Sequence, residues 1–143
     1  MKSRITSVLA TVFVLLIWGP NAYAGCTNAQ FAGTWDVVFA DGNSCRLILN
    51  KSGEVLTNPD RSLSTCFDPF RGETAPDWGG YEVDSSCGVG FALGIEDQVV
   101  EIYGRIAQPR NVAAGFYLLY PDPDYPPVVE AQEKGAITMI RAD

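Results

Sequence analysis

Apolar and polar positions alternate with a period of two along most of this chain, and no stretch holds a convincing 3.6-residue period. In Gly33-Thr34-Trp35-Asp36-Val37-Val38-Phe39, Trp35, Val37 and Phe39 share one face, and Thr34, Asp36 and Val38 share the other. The pattern predicts a first strand with a large aromatic facing inward at its start. Asp41-Gly42-Asn43 is a hairpin signal, because these residue types tolerate the positive φ of tight turns. A second strand follows through Cys45-Arg46-Leu47-Ile48-Leu49, with Cys45, Leu47 and Leu49 pointing one way. Lys51-Ser52-Gly53 turns the chain, Glu54 to Thr57 begins a third strand, Asn58-Pro59-Asp60 breaks it, and Ser62 to Phe67 resumes extended structure.

Asp68 to Gly80 reads as the longest irregular piece, punctuated by proline and glycine, and it holds Trp78. Tyr81 to Asp84 is a short strand. In Val89 to Ile95 one face is Val89, Phe91, Leu93 and Ile95, and the other is Gly90, Ala92 and Gly94. A face that small lets another strand, a packed aromatic or a ligand approach the backbone. Gln98 to Ala107 sets Val100, Ile102 and Ile106 together, Val112 to Tyr120 is a long run of high β-propensity, and Ala136 to Arg141 is a last strand. Pro121 to Pro127 is a stiff, extended connection, since proline fixes φ and removes donors. The sum is an all-β chain of about eight short antiparallel strands, either a small up-and-down barrel or a closed sandwich.

The N-terminus changes the picture of where this domain works. Lys2 and Arg4 precede an apolar run from Val8 to Trp18, and Ala22-Tyr23-Ala24 has the small-x-small form of a signal-peptidase site. The expectation is a signal peptide over residues 1–24, cleaved after Ala24, and a single secreted or periplasmic domain over 25–143. The apolar run is too short for a membrane span, which needs roughly 18 to 20 residues. Losing Lys2 and Arg4 takes the net charge from −7 to −9, a surface that repels nucleic acid and anionic membrane. The 4 cysteines, Cys26, Cys45, Cys66 and Cys87, all lie in the exported part. With no histidine and no CxxC pair, two disulfides are expected in place of a zinc site. Of the three connectivities, Cys45–Cys66 is favoured, because these residues fall on successive strands. That leaves Cys26–Cys87 to pin the N-terminus.

Gly33-Thr34-Trp35 resembles the G-x-W opening of the calycins: lipocalins, avidins and the small bacterial metalloprotease inhibitors. The resemblance implies a barrel with the tryptophan at its closed end and an arginine near the last strand packed across it, a place that Arg141 fits. A guanidinium over an indole is a favourable contact of roughly 0.5 to 2 kcal/mol. Phe31-Ala32-Gly33-Thr34-Trp35 followed by Ser44-Cys45-Arg46-Leu47 is similar to the inhibitors' opening. The resemblance implies an exported eight-stranded barrel with a disulfide near the second strand. The chain departs from that family at Cys26, which would tether the tail those inhibitors push into a protease cleft. It carries one disulfide more, lacks the second T-D-Y type motif of typical lipocalins, and shows no biotin-binding pattern.

Candidate chemistry narrows the reading further. Histidine, the commonest general base and metal ligand, is absent, no Gly-x-Ser-x-Gly elbow occurs, and Cys87-Gly88-Val89-Gly90-Phe91 lacks the third glycine of a nucleotide loop. No catalytic residue, metal or cofactor is expected. The reading is a non-catalytic binding module for a small or extended ligand, motivated by the Gly/Ala strand face and by Tyr103, Phe116, Tyr117 and Tyr120. A protease inhibitor or protein-recognition module and a cell-surface assembly component are the alternatives. The expected contact residues are Asp77 and Trp78 on one loop, with Tyr120, Asp122, Asp124 and Tyr125 on the neighbouring rim.

Overall fold

The computed structural model describes residues 25–58, 62–121 and 133–143. The expected signal segment and the contact residues Asp122, Asp124 and Tyr125 lie outside the described residues. The alternation of the sequence becomes nine strands: β1 (Gly33–Phe39), β2 (Ser44–Leu49), β3 (Thr65–Asp68), β4 (Gly72–Thr74), β5 (Trp78–Val83), β6 (Gly88–Ile95), β7 (Gln98–Ala107), β8 (Val112–Pro121) and β9 (Glu133–Arg141). All are antiparallel and all belong to one sheet, in the order β4-β3-β2-β1-β9-β8-β7-β6-β5. The sheet curls into a half-barrel, and among the described residues no second sheet packs on it.

Curling brings the first and last described strands together: β1 pairs with β9, placing Trp35 opposite Arg141. At one end the two margins of the sheet are stitched by the short segment after β2. The Asn50 and Leu56 amides donate to Glu54 and Ile48 on the β2 side, and the Val55 and Tyr81 amides link the segment to β5 through Gly79 and Gly53. Glu54 to Thr57 is therefore not a strand of its own but a clasp of two isolated bridges, Leu49 with Val55 and Glu54 with Gly80.

That same end is plugged. Thr27 caps a four-residue helix, α1 (Asn28–Phe31), by accepting from the Gln30 amide. Phe31 swings inward and stacks on Trp35 at 4.2 Å, with Tyr81 and Phe91 against its other edges. The Trp35 indole N–H donates to the Phe31 carbonyl at 2.8 Å. Arg141 lies over the indole, 5.1 Å from its centroid, and its Nη2 donates to the carbonyls of Gln30 (2.9 Å) and Ala32 (3.0 Å). One guanidinium thus satisfies carbonyls at the end of α1 while covering the aromatic core.

Inside, Val37, Leu47, Leu93, Ile102 and Met139 fill the middle of the curl. Both disulfides form as expected, Cys45–Cys66 between directly opposed positions of β2 and β3, and Cys26–Cys87 tying the start of the described chain to the turn before β6. They are compatible with an extracytoplasmic location. No helix among the described residues is long and apolar enough to cross a membrane.

Two expectations change. Asp68 to Gly80 is not irregular throughout: Asp68 ends β3, Gly72–Thr74 is β4 and Trp78 opens β5. Strands of three and four residues leave too few positions for alternation to be read. Of the aromatics on β7 and β8, only Tyr117 is buried; Tyr103 and Phe116 face outward and stack on each other at 5.5 Å.

Candidate functional site

Among the described residues the end opposite the plug is open, and there a cup of ≈ 250 Å³ enters the curl. Its apolar surface comes from the inward faces of the strand ends: Phe39 of β1, Val100 of β7, Tyr117 and Leu119 of β8, Ile95 of β6 and the Cys45–Cys66 bridge. Phe39 and Tyr117 meet edge to face, with centroids 5.1 Å apart and planes at 82°.

The rim is ionic. Asp41, in the turn after β1, has its carboxylate fixed by the backbone amide (2.9 Å) and side-chain amide (2.8 Å) of Asn43. Glu133, at the start of β9, stands beside it. Between them sits the hydroxyl of Tyr117, 3.0 Å from Glu133 Oε1 and 3.3 Å from Asp41 Oδ2. Across the mouth Arg71, in the β3–β4 hairpin, pairs with Glu96 in the β6–β7 turn at 3.5 Å. Asp68 and Glu73 complete the acidic rim, and Arg71 is the one cation among the described residues that line the cup. Beside the mouth the hairpin tip carries Phe70, 95% exposed.

Burial, then the hydrogen bond to Glu133 and the nearby Asp41 charge, push the Tyr117 phenol far above its ordinary 10.0. Its folded-state pKa is raised, so its contribution to stability is complete below the unfolded value of 10.0 and is lost as pH rises through the folded one. Stability is therefore expected to decline steadily above about pH 10. Tyr117→Phe should flatten that decline, read as urea midpoints across an alkaline series. An unchanged slope in the variant would show that Tyr117 does not carry it.

The expected contact residues fall elsewhere. Asp77 braces the open end, accepting from the Glu96 amide at 3.1 Å and donating its own amide to Gly94. Trp78 is 49% exposed and lies on the outer face of the sheet against Gly94, where a β-carbon would run into the indole. The Gly94 end of the small face of β6 is thus occupied by a packed aromatic. Tyr120 shares that outer row, opposite Val99, which in turn pairs with Gly94. Trp78 and Tyr120 are therefore brought to one outer stretch, and neither lines the cup. Asp41, Tyr117 and Glu133 were not singled out together, because 76 positions separate the first two and only the β1–β9–β8 pairing joins them.

No protein-family model, no curated protein and no solved structure matches this chain.

Proposed function

We propose that this chain is a non-catalytic binding module, working outside the cytoplasm, that takes a small ligand with an apolar body into the cup at the open end of the curl. The observation that carries the reading is the division of the interior. Aromatic and aliphatic side chains fill the plugged half, while ≈ 250 Å³ stays open in the other half above an apolar floor. A concave, mostly apolar site with a few convergent polar groups is what ligand binding requires. Kinship with the calycin-like barrels belongs to the same proposal. It is supported by the up-and-down strand order, by Trp35 at the plugged end and by Arg141 across it. Inhibition through an inserted N-terminal tail finds no support, since Cys26 is buried and bonded to Cys87.

The test is a fragment panel screened by ligand-observed NMR against the protein and against Leu119→Trp, whose larger ring grows into the cup. Fragments with apolar bodies should bind the parent and lose binding in the variant. A panel with no fragment sensitive to Leu119→Trp would overturn the reading.

A further inference from the structure

We infer that the cup selects an organic cation: a ligand whose apolar body rests on the Phe39–Tyr117 floor and whose ammonium group meets the carboxylates of Asp41 and Glu133 at the rim. The inference rests on the cup being a ligand site and names the chemistry of what it takes.

Three observations carry it. The first is the donor balance at the buried phenol. A hydroxyl has one proton to give. Tyr117, only 3% exposed, faces two carboxylate oxygens at 3.0 Å and 3.3 Å, so one of these approaches is a hydrogen bond and the other sets lone pairs against each other. The nearer Glu133 takes the proton, and Asp41 Oδ2 receives Asn43 from its other side. The rim therefore holds two exposed like charges around one phenol oxygen, with Asn43 and Tyr117 as their donors among the described residues. An ammonium brings three donors and a positive charge.

The second is the sign of the whole mouth. The cup-lining acids Asp41, Asp68, Glu73, Glu96 and Glu133 face a single described cation, Arg71, already paired with Glu96. Such a rim, above low-dielectric walls, concentrates cations and repels carboxylates and phosphates.

The third separates an organic cation from a metal ion. Among the described residues no group of three or more acidic or thiol side chains is placed to hold a metal, and calcium wants six to eight oxygens. The floor of the corner is also aromatic and apolar. Phe39 and Tyr117 offer ring surface to a carbon skeleton and to the charge it carries, which a bare ion would not use.

Calorimetric titration with three compounds of matched body tests it: 2-phenylethylamine, 2-phenylethanol and phenylacetate. The amine should bind about tenfold more tightly than the alcohol, the step that 1.4 kcal/mol gives. The carboxylate should bind most weakly, and added salt should erode the amine's advantage. In the double variant Asp41→Asn, Glu133→Gln that advantage should vanish. The outward variant Glu82→Gln, which removes one acid outside the cup, should keep it. Equal affinity of amine and alcohol, or an advantage that survives the double variant, overturns the cation inference and leaves the binding reading standing. Binding of none of the three, together with a silent fragment panel, overturns both.

Discussion

Replacing Trp35 by alanine should destabilise the fold by about 3–5 kcal/mol, a large part of the roughly 5–15 kcal/mol available to a domain of this size. The indole is fully buried, and three things depend on it at once. Phe31 loses its stacking partner at 4.2 Å, the Phe31 carbonyl loses its 2.8 Å donor, and Arg141 is left over a void instead of a ring. Trp35→Phe keeps part of the ring surface and forfeits the N–H, so it should cost less. Urea unfolding followed by circular dichroism measures both. A loss below about 1 kcal/mol for alanine would mean that the plugged end contributes little to global stability.

The second large effect is topological. Exchanging Cys26 and Cys87 together for serine opens a loop of 61 positions, against 21 for Cys45–Cys66. Constraint of the unfolded chain grows with the logarithm of loop length. The long bridge should therefore be worth about 4 kcal/mol and the short one about 3 kcal/mol. Cys26 also holds α1 in place, so its release should loosen the helix whose carbonyls Arg141 binds. Guanidinium unfolding of the two serine pairs decides the order. If the short bridge proves the more valuable, native packing at the wall of the cup outweighs chain entropy.

Most of the fold was legible because period two leaves a plain mark wherever a strand is long and one face is buried. Trp35, Val37 and Phe39, then Cys45, Leu47 and Leu49, then Val100, Ile102 and Ile106, all point inward as their alternation predicts. On β8 the inward row runs through Ala113, Gly115 and Tyr117, and Phe116 lies outside. Two small elements were missed for want of length: β4 and α1. For the helix, Thr27 followed three residues later by Gln30 was the available capping signal. The cup could not be read at all. Its lining comes from strand ends scattered along the chain, each looking like any other inward residue. Its charged corner exists only because β1, β9 and β8 lie side by side.

That the first strand pairs with the last has a consequence for how the molecule comes into being. On the ribosome, at about 5–20 residues per second, β1 emerges on the order of ten seconds before its partner. The β5-to-β8 meander is built from neighbours in sequence and can form as it is synthesised, whereas Arg141 reaches Gln30 across 111 positions. Until β9 arrives, Trp35 has neither its covering guanidinium nor one of the two strands beside it. The curl stays open until β9 pairs with β1 and Arg141 covers the indole.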